Sequence, residues 1–168
     1  NDGLSQFGEG GAGESVWLGF FLYDTLVHFA ALAQEREGAA RAGAYRDRAE
    51  QIRLRLDGMW HEDRYPRLIA GNGDAISWFD ALMGSWPVLS GAVGFERGRQ
   101  TVESALAALE RDHQVLLLTP YFGEHSPRVP GKIADYPPGV RENGGQYSHG
   151  SSWLVDALML LSDAARAH

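Results

Sequence analysis

The sequence contains no cysteine among its 168 residues, which excludes disulfide bonds and thiolate metal sites and permits a reducing compartment. Positive charge is also scarce, because 15 Lys and Arg residues stand against 22 Asp and Glu residues, for a net charge of -7. Nucleic acids and anionic membranes bind basic surfaces, so neither is expected as the main partner. No segment has the layout of a signal peptide or the run of about 18 apolar residues that predicts a membrane span.

Metal chemistry is not indicated either. The six histidines show no spacing typical of metal ligands, so no metal site is predicted. His28 falls in a strongly apolar segment, and we expect it to be a buried core histidine with its hydrogen bonds satisfied.

The remaining composition is that of a globular protein, with 44% hydrophobic and 22% charged residues. The length suits one domain over residues 1–168 with a core of its own. The chain opens on NDGLSQFGEGGAGES without an initiator methionine and ends on LSDAARAH, which has the character of a helix. We therefore expect a piece of a longer chain that is truncated on both sides.

The spacing of apolar residues predicts an all-α protein with five helices. The first is apolar on all sides and is expected to be buried among other helices. Pro87 is expected to distort or end the third. Long glycine-rich loops, above all Glu124–Gly145, predict a helical barrel whose loops gather at one end and form a site. The predicted helices are Ser15–Gln34, Ala39–Met59, Trp78–Leu89, Phe95–Glu110 and one that begins near Ser151.

The most unusual segment is YPPGVRENGGQYSHGSSW, Tyr136–Trp153. Its Asn-Gly-Gly sequence predicts a tight turn with exposed amides, and Arg141 and Glu142 are expected to point to opposite sides of an extended loop. His149 lies two residues before the predicted helix, where an imidazole and free backbone amides can hold an anion. The simpler interpretation, a helix-capping loop with a surface ion pair, stays open.

Two further features allow more than one interpretation. Asp2, in the sequence Asn-Asp-Gly, is either an ordinary turn residue or a catalytic carboxylate. The aromatic residues of the loops either stack on sugar rings or fill the core. These residues are Trp60, Tyr65, Tyr121, Tyr136 and Tyr147.

Four segments together resemble a known family. NDGLSQFGEGGAGESVWLGFFL, SWPVLSG, VLLLTPYF and YPPGVRENGGQYSHGSSWLVDAL are similar, in this order, to segments of glycoside hydrolase family 94, the inverting disaccharide and oligosaccharide phosphorylases. The similarity is greatest to the phosphorylase-like C-terminal region of cyclic β-1,2-glucan synthases. It implies part of an (α/α)6 barrel, of which this chain would be about half, so that the rest of the barrel would be its partner.

The resemblance also implies roles for individual residues. Asp2 would be the general acid, His149 would contact phosphate, and the acceptor sugar would be bound by Tyr136, Arg141 and Glu142. The implied reaction transfers a glucosyl unit between a β-glucan or disaccharide and inorganic phosphate, with phosphate as co-substrate and no cofactor.

Some family features are missing from the chain. An upstream arginine and a downstream Thr/Ser-Gly segment that contact phosphate in the family are not present, and Gly84 and Pro87 depart from the usual pattern. The 168 residues alone are therefore expected to be inactive. The resemblance further allows a homodimer of the full-length form and a location in the cytoplasm or on the cytoplasmic side of the inner membrane.

Two other functions stay open. One is a carbohydrate-binding helical domain without catalysis. The other is an (α/α)6 glycoside hydrolase that activates water, for which Glu142 would be the base.

Overall fold

The computed structural model describes residues 7, 12–123, 126 and 130–166, with side chains as far as residue 162. This part of the chain contains five α-helices, as the apolar spacing predicts, and a short 3-10 helix, Lys132–Asp135, within the long loop. The α-helices are α1 Val16–Arg36, α2 Ala39–Asp57, α3 Ala81–Leu89, α4 Phe95–Leu109 and α5 Ser148–Arg166. Pro87 does not end α3, which continues for two residues beyond it.

A buried arginine ties together the starts of two helices. The Ser15 hydroxyl accepts a hydrogen bond from the Leu18 amide and caps α1, while an Asp80 oxygen accepts one from the Met83 amide at 2.7 Å and caps α3. Arg67 donates to both caps, to the Ser15 hydroxyl at 3.1 Å and to the other Asp80 oxygen at 2.8 Å. Removing one partner of such a buried pair costs about 3–5 kcal/mol, so this network fixes α1 relative to α3.

Small antiparallel sheets gather the long loops at one end of the helices. The segment before α1 pairs with the α2–α3 connection, and the residues just before α3 pair with the α4–α5 connection. We call this the loop end. In the described part of the chain, the opposite end holds the short connections Glu37–Gly38 and Ser90–Gly94 and the end of α5. The strands are β1 Glu14–Ser15, β2 Leu68–Ile69, β3 Ala75–Ile76, β4 Phe79–Asp80, β5 Glu110–Arg111, β6 Gln114–Val115 and β7 Leu118–Thr119, ordered β1-β2-β3, β4-β7 and β5-β6.

The helices form two layers. Helices α1, α3 and α5 all begin at the loop end and lie side by side with α3 in the middle, whereas α2 and α4 run the opposite way and pack against them. A layer of parallel helices covered by antiparallel ones is the arrangement expected for part of an (α/α)6 barrel.

Gly84 permits the close approach of three helices. A Cβ atom at this position would lie 2.5 Å from the Cβ of Ala105 on α4 and 3.2 Å from Leu154 on α5. A larger residue would force α3 and α4 apart. The departure at Gly84 is therefore explained by packing within the described helices.

The expectation that α1 is buried on all sides is wrong for the described residues. Only four of its residues are buried, because α2 and α3 cover part of its circumference, and six of its large apolar side chains are 42–48% exposed. The exposed ones are Leu18, Phe21, Leu22, Val27, Phe29 and Leu32. By length and composition alone α1 is also long and apolar enough to cross a membrane, whereas no such segment was expected from the sequence. Core helices of soluble proteins have the same character.

His28 is likewise not a core residue. Its side chain is 78% exposed, since it lies on the uncovered face of α1. Its Nδ1 lies 2.9 Å from the Asp24 carbonyl oxygen and 3.2 Å from an oxygen of the Asp24 carboxylate. The histidine is partnered within its own helix rather than by the core.

Candidate functional site

Four of the five predicted site residues lie together at the loop end. Tyr136, Arg141 and Glu142 belong to the loop that precedes α5, and His149 lies in the first turn of α5. Asp2 lies outside the described residues, so its convergence with His149 across one pocket stays a prediction.

The loop before α5 is held by Asn143 rather than by an open turn. Asn143 is fully buried, its amide group donates to the carbonyl oxygens of Phe122 and Tyr136 at 2.8 and 2.7 Å, and its side-chain oxygen accepts from the Phe122 amide at 2.7 Å. The prediction that the amides of this turn are exposed is therefore wrong for two of them. The Asn143 amide donates to the Val140 carbonyl oxygen, and the Gly145 amide donates to the Arg141 carbonyl oxygen. The asparagine acts as a strand partner for Phe122 and fixes the loop against it.

Arg141 and Glu142 lie on the same side of the loop, contrary to prediction. Arg141 has a φ of 49°, in the left-handed region, and the chain is therefore not extended at this point. Its Nε lies 3.4 Å from an oxygen of Glu142, and its guanidinium lies 4.6 Å from the centre of the Tyr136 ring. Arg141 thus contacts both of the other predicted sugar-binding residues.

Tyr147 links this group to the histidine, a role that was not predicted. Its hydroxyl donates to the first carboxylate oxygen of Glu142 at 2.9 Å, and its ring packs edge-to-face against the His149 ring with centroids 5.0 Å apart. The only sequence signal was its presence among the loop aromatics. One side chain therefore contacts both Glu142, a predicted sugar-binding residue, and His149, the predicted phosphate ligand.

The surroundings of Glu142 favour its ionised form. Partial burial would raise its pKa, but hydrogen bonds from its own amide and from Tyr147, together with the charge of Arg141, outweigh burial and lower the pKa below its ordinary value. At neutral pH Glu142 is therefore a fixed carboxylate that accepts hydrogen bonds, as a ligand for sugar hydroxyls requires.

His149 is the second residue of α5 rather than a residue outside the helix. The helix begins earlier than predicted, with the Ser151 amide bonded to the Tyr147 carbonyl oxygen. The first amides of a helix have no partner inside it and attract anions. His149 is exposed, so its imidazole is accessible to an anion at this helix start.

The His149 ring packs on the first of three tryptophans that follow one another across the helices. The His149 ring packs edge-to-face on Trp153 of α5 at 5.2 Å, Trp153 packs on Trp86 of α3 at 5.5 Å, and Trp86 packs on Trp17 of α1 at 6.2 Å. Each of the three parallel helices contributes one ring. The imidazole therefore packs between the rings of Tyr147 and Trp153.

Metal binding has no support in the part of the chain that the structure describes. No group of three or more His, Asp or Glu side chains there lies close enough to hold a metal ion. The arrangement that is present, an ionised carboxylate, a guanidinium, an imidazole and a helix start, is suited to a polar ligand that carries an anion.

Comparison with known proteins assigns the chain to a family. The model of the glycosyl hydrolase 94 superfamily catalytic domain matches residues 1–168. The chain belongs to glycosyl hydrolase family 94. The resemblance stated from the sequence is thereby confirmed.

Relatives within family 94 differ in what their names describe. The chain is 36% identical over 179 residues to the cyclic beta-(1,2)-glucan synthase NdvB of Rhizobium meliloti strain 1021, covering 99% of this chain and 6% of that protein. It is 31% identical over 168 residues to solabiose phosphorylase of Paenibacillus borealis, with 94% of this chain and 22% of that protein covered. It is 29% identical over 167 residues to N,N'-diacetylchitobiose phosphorylase of Vibrio furnissii, with 94% and 21% covered. The chain thus spans 6% to 22% of the length of these relatives.

A solved structure shows the same fold. Neutral trehalase Nth1 from Saccharomyces cerevisiae superposes with a TM-score of 0.66 at 15% identity, over 90% of this chain and 29% of that chain. This likeness concerns the fold alone. Together with the two helix layers, it identifies the described residues as part of an (α/α)6 barrel.

Proposed function

We propose that this chain is part of the catalytic domain of an inverting glycoside phosphorylase that transfers glucosyl units between a β-glucan and inorganic phosphate. The observation that carries the proposal is the contact series from Glu142 through Tyr147 to His149 at the start of α5. In this series the side chain of Tyr147 lies between the carboxylate proposed to bind sugar and the helix start proposed to bind phosphate. Both substrates of a phosphorylase need such neighbouring sites.

The reaction would be a single displacement. Asp2 in its protonated form donates its proton to the glycosidic oxygen, and that carbon–oxygen bond breaks as a phosphate oxygen forms a bond to the anomeric carbon from the opposite face. The products are α-glucose 1-phosphate and a saccharide shortened by one unit. Since phosphate is itself an anionic nucleophile, no second carboxylate is needed to activate water.

The other residues position the two substrates. His149 and the first amides of α5 would hold phosphate and balance its charge. Arg141 and Glu142 would bind hydroxyl groups of the acceptor sugar, with Tyr136 beside them. Their contacts with one another before any ligand is bound would reduce the cost of ordering them on binding.

Hydrolysis is the second candidate, and the state of Glu142 argues against it. A base that activates water works best with a pKa near the working pH. The pKa of Glu142 is instead lowered, and the carboxylate is engaged by Tyr147 and Arg141. Such a carboxylate is a better hydrogen-bond acceptor than base.

The remaining expectations about the parent protein are part of the same proposal. We expect catalysis to require further barrel helices beyond these residues. The full-length form could be a homodimer. The reaction would take place in the cytoplasm or at the cytoplasmic side of the inner membrane. The support is the limited share of the relatives that the chain covers and the exposed apolar side chains of α1.

Product analysis tests the proposed reaction. The natural protein that contains this chain is incubated with a β-glucan oligosaccharide, with and without inorganic phosphate. A phosphorylase forms glucose 1-phosphate only when phosphate is present, whereas free glucose formed at the same rate in both samples would identify a hydrolase. A non-catalytic binding domain would form neither product while still binding the saccharide.

A further inference from the structure

A cavity of about 550 Å³ lies at the loop end beside the candidate site. Its volume is within the range of ligand pockets, about 300–1,000 Å³. Four of the ten lining residues are aromatic, and the polar ones are Asp74, Ser77 and Ser126; the aromatic residues are Phe7, Trp78, Tyr121 and Phe122. None of the four described candidate site residues lines it, so the cavity is separate from the group formed by Tyr136, Arg141 and Glu142.

The cavity and the candidate loop share a wall. Asn143 bonds both backbone groups of Phe122, and it also holds the Tyr136 carbonyl oxygen. At Gly144, with a φ of 84°, a Cβ atom would lie 3.3 Å from the Cβ of Tyr121. Segment 120–122 therefore has the cavity on one side and the loop that carries the sugar-binding residues on the other.

The aromatic wall is preformed. Trp78 packs edge-to-face on Phe122 with centroids 5.3 Å apart and lies 6.1 Å from Phe7, and all three rings are at least nine-tenths buried. Tyr121 differs, because it is 57% exposed. A fixed aromatic wall, one accessible ring and a few hydroxyls suit a ligand with an apolar face and a polar rim, which is the chemistry of a pyranose ring.

We propose that this cavity is a distal subsite for a glucan chain, with Tyr121 as the residue on which an outer glucosyl unit stacks. The inference rests on the proposed function, since it assigns the acceptor side of that reaction to an extended oligosaccharide. A disaccharide held by Tyr136, Arg141 and Glu142 does not need the cavity, whereas a longer chain continues past segment 120–122 into it. Among the relatives, one is named for a glucan and two for disaccharides, so the length of the saccharide is a property in which related proteins differ.

A second cavity of about 570 Å³ provides an internal control. It is lined by Trp60, His61 and Arg64 and shares Ala75 and Ser77 with the first, but no residue of segment 120–122 lines it. His61 is 82% exposed, so its truncation should be tolerated by the fold as well as that of Tyr121.

The test compares saccharides of two to six glucosyl units in the natural protein that contains this chain. Tyr121→Ala is expected to raise KM by about three- to tenfold for the longer saccharides and to leave the disaccharide unchanged. Tyr121→Phe, which keeps the ring, should retain most of the preference, and His61→Ala should behave like the wild type at every length. An equal effect of Tyr121→Ala at all lengths, or no effect at any, would overturn the subsite.

Binding measurements separate this inference from the reaction. Calorimetric titration of the same saccharides without phosphate reports the subsite even if no phosphorolysis is detected. A length-dependent loss of affinity in Tyr121→Ala then supports the subsite while the proposed reaction fails. Conversely, phosphorolysis with affinities that do not depend on Tyr121 supports the reaction and overturns the subsite.

Discussion

The two ends of the helical layers have very different compositions. At the loop end, short sheets, an aromatic row and the group Tyr136, Arg141 and Glu142 lie close together around the start of α5. At the opposite end, the connections are short, and a surface ion pair such as Arg41–Glu37 joins one turn of chain to the next. A short connection is enough to join two helices. Ordering a long loop costs additional conformational entropy, which indicates that the long loops have a role beyond connecting helices.

The difference indicates where changes should affect activity and where they should not. At the loop end the polar groups are connected to one another, so removing one leaves its partners unsatisfied. At the opposite end the charged groups are solvated, and exposed ion pairs contribute little. Matched substitutions at the two ends therefore test the account.

The largest effect is expected for Asp2→Asn in the natural protein. Losing the general acid should lower kcat by about 10²- to 10⁴-fold, because the leaving oxygen no longer receives a proton. The rate of glucose 1-phosphate formation measures this change. The matched control is Glu37→Gln at the opposite end, which should keep the wild-type rate; equal rates for the two variants would refute the role of Asp2.

The next effect is expected for His149→Ala. Loss of a charge-assisted hydrogen bond to phosphate should raise the KM for phosphate by about 10- to 100-fold. The saccharide KM should change much less, and initial rates over a phosphate series measure the difference. His28→Ala removes an exposed histidine from α1 and should change neither constant, so an increase confined to the saccharide KM of His149→Ala would contradict the assignment.

Gly84→Ala tests the packing that supports the loop end. The added Cβ would meet Ala105 at 2.5 Å, so we expect a loss of about 1–3 kcal/mol in the free energy of unfolding, measured by urea denaturation. Gly43→Ala on α2 has open space around its Cβ and should stabilise the protein by about 0.5–1 kcal/mol. Equal changes in both variants would show that α3 and α4 are not in close contact.

The smallest effect is expected for Tyr147→Phe. Without the hydroxyl the pKa of Glu142 should rise towards its ordinary value, and the saccharide KM should increase by about three- to tenfold. Because the folded-state pKa is lowered, Glu142 stabilises the fold above its unfolded pKa, and this contribution is lost as the pH falls through the folded pKa. In the variant this contribution of Glu142 to stability should be smaller. NMR titration of Glu142 measures the pKa, with Tyr45→Phe on α2 as control. An unchanged pKa would contradict the link.

The sequence predicted the helices better than the loop end. Four helices have starts or ends close to those expected because apolar spacing is a local signal. The start of α5 was placed three residues late, near Ser151, and the helix includes Gly150 in its first turn. The glycine is required because a Cβ there would lie 3.1 Å from Ala81 and from Leu117, which are remote in sequence.

The membership of the site stays a prediction, and the contacts among its described residues were not foreseen from the sequence. The resemblance pointed to Arg141, Glu142 and His149. No local pattern reveals the left-handed conformation of Arg141 or the bond between Asn143 and Phe122, which is 21 residues away. Two-residue strands are likewise too short to show an alternating pattern. Tyr147 could be found only once the loop and α5 were placed together.

The most direct test of the central claim is a crystal structure of the natural protein with phosphate and a saccharide bound. The account predicts a phosphate oxygen at about 2.7–3.2 Å from an imidazole nitrogen of His149. It also predicts the Asp2 carboxyl group beside the glycosidic oxygen on the other face of the sugar. Phosphate bound away from the start of α5, or Asp2 and His149 on separate surfaces, would contradict it.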